Sequence, residues 1–192
     1  MDIVAFIRNF NLFDLAIVLI LAVSFVIGFM QGTIRRLLGI GSILVSYLLA
    51  ANLRETLGKF FANNWHQFPT EYSYMIAFGL VFATGTIVST LVIQGFYTHQ
   101  DLFARTRFVD EVLGGTLGVL QALIVIGIVF VILDSFFRVP TLPQTSGELI
   151  LVRGLWTAMD QSGTAHIFRE ILIPAFNAVV GGLLPYDVRT VV

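Results

Sequence analysis

Few side chains in this 192-residue chain are of types that carry out chemistry, and their spacing does not predict a catalytic site. The three histidines, His66, His99 and His166, are far apart, and none has a metal-ligating neighbour at helical spacing. No Gly-x-Ser-x-Gly elbow and no phosphate-binding Gly-Lys-Ser/Thr loop is present. The absence of cysteine excludes thiol nucleophiles and thiolate metal sites. We therefore expect no catalytic, metal-binding or cofactor-binding residues and a protein that is not an enzyme.

Charged residues beside apolar segments are the next candidates. Asp14 stands two residues into an apolar run, where the positive end of a helix dipole favours a carboxylate, so a capping charge is one interpretation. The alternative is a site in which Asp14 and Asp134 bind a cation or a proton. At the opposite membrane face, Arg35, Arg36 and Asp110 could form an ion-pair cluster, or act as a positive anchor and a helix cap.

Four apolar runs must position these charges: Leu12 to Met30, Leu37 to Leu53, Tyr72 to Tyr97 and Val112 to Phe137. A helix of about 20 apolar residues crosses a bilayer. The chain is 57% hydrophobic and 12% charged, against about 25% charged residues in a soluble domain. We predict an all-α integral membrane protein with a four-helix transmembrane domain over residues 1–137 and a tail over 138–192. The net charge of −1 gives no basic face for nucleic acid.

Small residues recur at helical spacing within the predicted crossings, and such residues let helices approach closely in lipid. The predicted packing positions are Gly28, Gly32, Gly39, Ser42, Ser46, Gly114, Gly118 and Ala122. Polar groups at membrane depth must face protein or water. A second interpretation therefore assigns a wet path to the polar residues Thr86, Thr90, Gln94 and Gln121.

The tail carries its own pattern. Apolar residues at helical spacing between Thr164 and Leu184 predict an amphipathic interfacial helix, bent at Pro174, on the outer surface of the bundle. The uncharged part, Ile171 to Leu184, is short for the alternative of a fifth crossing. A helix in that place could bring His166 or Arg169 to Asp14 or Asp134, or Arg169 could reach lipid phosphate or water.

Orientation follows from arginines near the crossings. Arg35 and Arg36 are in a predicted six-residue connection, Gln31 to Arg36, and arginine-dense connections favour the cytoplasmic side. We therefore expect both termini on the outer side of the membrane.

Two segments resemble a known family. Asp14-Leu15-Ala16-Ile17, followed by Gly28-Phe29-Met30-Gln31-Gly32-Thr33-Ile34-Arg35, resembles the first hairpin of the colicin V production protein (CvpA) family. Phe108-Val109-Asp110-Glu111-Val112-Leu113-Gly114, with Gly118 and Asp134 after it, resembles the fourth helix of that family. The tail residues Asp160-Gln161-Ser162, Ile173-Pro174 and Leu184-Pro185 are similar to the family's ending, in which a serine opens a short helix.

The sequence also departs from this family pattern. Arg36 stands where the family often has Glu, and Glu111 where it often has Arg, which predicts an Arg36–Glu111 ion pair. Gln121 and Ala122 stand where Arg-Gly is common.

The resemblance implies a multi-pass protein of the bacterial inner membrane with a periplasmic tail, associated with colicin V production or export and with envelope homeostasis. No catalytic residues carry over. We expect a non-enzymatic bundle that self-associates through its glycine faces, with the lipid bilayer, further copies of itself and envelope or secretion proteins as partners. The alternative is an oligomeric small channel or transporter with the polar path along the third crossing.

Overall fold

The computed structural model describes residues 11–65, 70–96, 107–137, 150–180 and 182. The long helices are α1 (Leu12–Gln31), α2 (Thr33–Asn64), α3 (Thr70–Phe96) and α4 (Arg107–Phe137). The tail contains α5 (Ile150–Asp160), α6 (Gly163–Ile167), a π turn (Phe168–Leu172) and α7 (Ile173–Val180). Helices α1 to α4 are long and apolar enough to cross a bilayer, which confirms the all-helical fold with four candidate crossings.

The prediction of a six-residue connection between the first two crossings is wrong. Helix α2 begins at Thr33, one residue after α1 ends, so Arg35 and Arg36 lie in the first turns of α2. Gly32 makes the break with a φ of 74°, a left-handed conformation that glycine adopts without steric cost. A single glycine is therefore enough to turn the chain between two helices.

Helix α2 also extends beyond its apolar run, which ends at Leu53. The residues from Arg54 to Asn64, which follow the apolar run, are helical as well. Glu55 and Lys59 form a salt bridge of 2.5 Å one turn apart, a pair that stabilises an exposed helix. The end of an apolar run therefore marks where contact with lipid ends, and the helix itself continues beyond that point.

Helices α1 and α4 pack with their backbones in contact. A Cβ atom added to Gly114 would lie 2.6 Å from the carbonyl oxygen of Gly28, and one added to Gly118 would overlap the carbonyl oxygen of Ser24. The Cα of Gly28 would be 3.1 Å from that added atom on Gly118. Glycine at these positions is what allows α1 and α4 to approach so closely.

Helix α2 packs against α3 and also against α4. Tyr47 and Ala50 of α2 and Phe78 of α3 are completely buried in this part of the core. At the same interface, Ser46 is so close to Gly85 of α3 that an added Cβ would lie 2.9 Å from its hydroxyl oxygen. The order of contacts, α1 to α4 to α2 to α3, places α4 between helices that are consecutive in sequence.

We predict that Gly118→Ala destabilises the protein, because the new methyl group has no space against Ser24. The expected cost is about 1 to 3 kcal/mol, as for other overpacked interiors. The matched control is Gly41→Ala, since an added Cβ at Gly41 meets no atom within 4 Å. Thermal unfolding in detergent should show a lower midpoint for the first variant and an unchanged or higher midpoint for the second. Equal midpoints would contradict this account of the contact.

Candidate functional site

The end of the bundle at which α1 begins and α4 ends, hereafter the tail end, holds a network of buried charges. Asp14 is 1% exposed there. Its Oδ2 accepts the backbone N–H of Asn11 at 2.8 Å, while the Asn11 side chain accepts from the N–H of Asp14 at 3.1 Å. This reciprocal capping box satisfies donors at the start of α1.

The same carboxylate binds the tail. Asp14 Oδ1 accepts the backbone N–H of Thr164 at 2.9 Å and the hydroxyl of the same residue, and Oδ2 accepts the N–H of Gly163 at 3.3 Å. Asn11 donates from Nδ2 to the carbonyl oxygen of Ala158 at 3.0 Å. One carboxylate therefore joins the starts of α1 and α6, which lie about 150 residues apart in the sequence.

A second buried carboxylate fixes the tail to α4. Asp134 is 4% exposed, and its two oxygens accept from Nε and Nη2 of Arg169, both at 2.7 Å. Trp156 donates its indole N–H to Asp134 Oδ1 at 3.0 Å. Arg169 also donates from Nη1 to Asp160 at 2.5 Å. The interpretation in which Arg169 reaches lipid phosphate or water is wrong, because Asp134 and Asp160 bind its guanidinium.

Arg169 stays charged in this setting. Burial alone would lower its pKa, but the hydrogen bonds and charges of Asp134 and Asp160 outweigh burial and raise the pKa of Arg169 above its usual value. The pairing is bidentate with Asp134, the strongest geometry available to an arginine and a carboxylate.

Apolar contacts hold the rest of the tail against the bundle. Phe168 is 1% exposed and stacks on Phe130 of α4 with ring centroids 4.9 Å apart. Phe176 of α7 meets the ring of Tyr47 of α2 at 5.4 Å, edge to face. Because Phe176 contacts Tyr47, α7 lies beside α2. The prediction placed this segment on the outer surface of the bundle.

The segment predicted as a helix from Thr164 to Leu184 is helical from Gly163 to Val180, with a π turn that ends two residues before Pro174. A proline cannot donate to the preceding turn and its ring crowds that carbonyl, so a wider turn at this point is expected. Ser162 accepts the N–H of Ala165 at 3.1 Å and so caps α6, as the family pattern implies. The end of the predicted helix, at 183–184, lies outside the described residues.

Neither carboxylate at the tail end is available as a cation ligand. Asp14 accepts four hydrogen bonds and Asp134 three, all from groups of the chain itself. Among residues 11–65, 70–96, 107–137 and 150–180, no cluster of three acidic or histidine side chains could hold a metal ion. The hydrogen bonds of the two carboxylates therefore join α1 and α4 to the tail.

The charges at the other end pair differently from the prediction. Glu111 binds Arg107 at 2.8 Å on its own helix, so the predicted Arg36–Glu111 pair is wrong. Arg36 instead donates from Nη1 to Gln121 Oε1 at 2.8 Å. Asp110 is 3% exposed, and its backbone carbonyl accepts the hydroxyl of Thr33 at 3.1 Å.

The remaining predicted residues are placed as follows. Gly39 packs beside Gln121, with 3.0 Å between an added Cβ and Nε2, and Ser42 is half-buried on α2. Thr90 is exposed on α3 and donates its hydroxyl to the carbonyl oxygen of Thr86 at 2.7 Å. No hydrogen bond among the described residues joins this pair to Gln121, and the side chain of Gln94 lies outside the described part of the chain.

Several residues of the network were not foreseen. Polar contacts at the tail end also come from Asn11, Trp156 and Thr164. Outside the network, the close packing of Gly58 on the ring of Tyr74 was not predicted either. For Asn11, its place just before an apolar run that contains Asp14 three residues later was a usable capping signal. The contacts of Trp156 and Thr164 depend on tertiary structure and left no local signal.

We predict that Arg169→Gln lowers the free energy of unfolding by about 3 kcal/mol, because the buried carboxylate of Asp134 loses its counter-charge. The double variant Arg169→Gln with Asp134→Asn should be more stable than Arg169→Gln alone. The control is Glu170→Gln, since Glu170 pairs with His166 where both side chains are more than half exposed. Urea unfolding in detergent measures all three. A single variant as stable as the control would refute the importance of the pair.

Comparison with known proteins gives a family for this chain. The model of the family described as colicin V production protein matches residues 13–172 of the 192. A search of curated proteins and a search of solved structures each found no match. The matched range runs from the beginning of α1 to the last residue of the π turn, so it includes both buried carboxylates and Arg169. The chain is a membrane protein that belongs to the colicin V production protein family.

Proposed function

We propose that this chain is a non-enzymatic protein of the bacterial inner membrane that supports secretion of a colicin V-like toxin and envelope homeostasis. In this proposal the tail, fixed against the bundle, is the surface that binds partner proteins. The observation that carries the proposal is the pairing of Arg169 with the buried Asp134, which fixes the tail on one end of the bundle. The family description supplies the link to colicin V production. That family is not a known enzyme family.

A fixed tail suits a protein that acts by contact. The side chains of Asp134, Trp156, Asp160 and Arg169 bind one another, and the apolar side chains of Met159, Ala165 and Phe168 are buried. The exposed side of α5 to α7 is thereby fixed against the bundle. Such a surface can bind a component of a secretion or envelope assembly without itself performing a reaction.

Self-association belongs to the same proposal, but not through the glycines first expected to drive it. Gly28, Gly114 and Gly118 are covered inside one chain by the contact of α1 with α4. A homo-oligomer would therefore use a different face.

The geometry favours this function over a channel along α3. The hydroxyl of Thr90 donates to the carbonyl oxygen of Thr86 on the same helix, so it needs no hydrogen-bond partner from water. Gln121 is bound to Arg36 instead of facing the threonines.

We predict a periplasmic tail. The arginines at the start of α2 support a cytoplasmic position for Gly32, and α4 then ends on the other side. Alkaline phosphatase fused after Val192 should be active, and green fluorescent protein fused there should be dark. The reverse pattern would overturn the orientation.

We also predict that Arg169→Gln reduces toxin secretion in cells that produce colicin V and lack their own copy of this protein. Secreted toxin, measured by the killing zone on a sensitive lawn, should fall at least tenfold relative to the unmodified protein. Glu170→Gln is the matched control and should secrete normally, and immunoblots should show equal amounts of each variant in the membrane. Full secretion with Arg169→Gln would show that tail docking is dispensable. Full secretion in the absence of the whole protein would refute the proposed function itself.

A further inference from the structure

A cavity of about 440 Å³ lies between α1 and α4 beneath α5. Its walls are mostly apolar, with Ile20 from α1, Val125 and Phe130 from α4 and Met159 from α5. Pockets of about 300 to 1,000 Å³ with such walls and a few polar groups are typical of sites for small molecules. The polar groups here include Arg36 and Gln121.

Arg36 brings a positive charge deep into the bundle. Its partner Gln121 lies eleven residues after Asp110 and thirteen before Asp134, which is about 16 Å and about 20 Å along α4 at 1.5 Å per residue. The guanidinium therefore lies at the level of Gln121, well inside both ends of α4. Charged side chains at that depth are costly and usually have a partner or a function.

None of the residues that the structure describes forms a salt bridge with Arg36. Its hydrogen bond goes to the neutral amide of Gln121, and its Nε is buried without a hydrogen-bond partner among the described residues. Comparison with Arg169 shows which hydrogen-bond acceptors the guanidinium of Arg36 lacks among the residues with described positions. Arg169 binds Asp134 through Nε and Nη2 and Asp160 through Nη1, whereas in the described part of the chain Arg36 has an acceptor only at Nη1.

We propose that this cavity binds a hydrophobic carboxylate of the long-chain fatty acid class, with its chain among the apolar walls and its carboxylate on the Nε and Nη2 edge of Arg36. A carboxylate matches the two parallel donors of that edge and carries the single negative charge that neutralises one arginine. Because Nε is buried in the unliganded chain, binding requires the guanidinium, which already lines the cavity, to turn this edge towards it. The exposed positions of Ala16 and Ile20, which line the cavity, open it to the bilayer.

The depth of the charge selects a free carboxylate over a phospholipid. A phospholipid keeps its phosphate at the membrane surface, whereas Gln121 lies well inside both buried aspartates of α4. A fatty carboxylate can cross the apolar layer as the neutral acid and ionise beside Arg36. This binding site is independent of the proposed role in secretion.

Photolabelling tests the proposal. The full chain in phosphatidylcholine nanodiscs is irradiated with a diazirine analogue of palmitate, and labelled peptides are identified by mass spectrometry. We expect labels on α1 between Phe13 and Ser24 and on α4 between Gly118 and Phe130. Unlabelled palmitate should suppress them, whereas hexadecanol, with the same chain and no charge, should need at least a tenfold higher concentration.

Two pairs of variants make the test specific. Arg36→Gln should reduce labelling at least tenfold, and Arg35→Gln, which removes the same charge one residue away and outside the cavity, should stay within twofold of the unmodified protein. Ala16→Phe fills the cavity from α1 and should reduce labelling, while Ala22→Phe on the exposed surface of the same helix should not. The second pair leaves Arg36 intact, so the test survives if Arg36→Gln fails to fold.

Several results would overturn the proposal. Equal competition by hexadecanol would show that only the apolar walls bind. Stronger competition by phosphatidylglycerol than by palmitate would identify a phospholipid site. Labelling of Ala16→Phe at the level of Ala22→Phe would place the ligand elsewhere. Because the readout is binding in purified protein, none of these results depends on toxin secretion.

Discussion

A buried carboxylate near the end of an apolar helix needs a counter-charge, and this requirement organises the tail. Asp134 is almost fully buried, and lipid supplies no hydrogen-bond donors to it. Arg169 and Trp156 supply three donors, so the segment that carries them must fold back onto the bundle. An isolated buried charge is destabilising by several kcal/mol, which exceeds what a surface ion pair contributes. The salt bridge is therefore best understood as a constraint on where the tail lies.

That constraint works only because the bundle brings Asp14 and Asp134 to the same end. The backbone contact of α1 with α4 at Gly28 and Gly114 aligns the two helices, which run in opposite directions. The start of α1 then lies beside the end of α4, and α5, α6 and the π turn can reach both carboxylates. A side chain larger than hydrogen at Gly114 would separate α1 from α4 and pull the two halves of the network apart.

Run length and charge position in the sequence were enough to predict four crossings and the common end of Asp14 and Asp134. The limits of the helices were less predictable, because an apolar run reports contact with lipid and the helix beyond Leu53 needs none. His166 and Arg169 were both candidates for the contact between the tail and the buried carboxylates. The sequence did not single out Arg169, because tertiary packing decides which side chain reaches a carboxylate. The partner of Arg36 was predicted wrongly for a similar reason. Sequence alone does not show which of several neighbouring groups a long side chain reaches.

The contact of Arg36 with Gln121 gives a physical meaning to the departures from the family pattern. Positions 36 and 121 are two of these departures, and the structure brings Nη1 of Arg36 to within 2.8 Å of Oε1 of Gln121. In this chain Arg36 faces the side-chain amide of Gln121. The absence of a Cβ at Gly39 leaves room for the Gln121 side chain to lie against α2 and accept from Arg36. An arginine left in this way beside an apolar cavity needs an anion, and within the described residues the chain does not provide one.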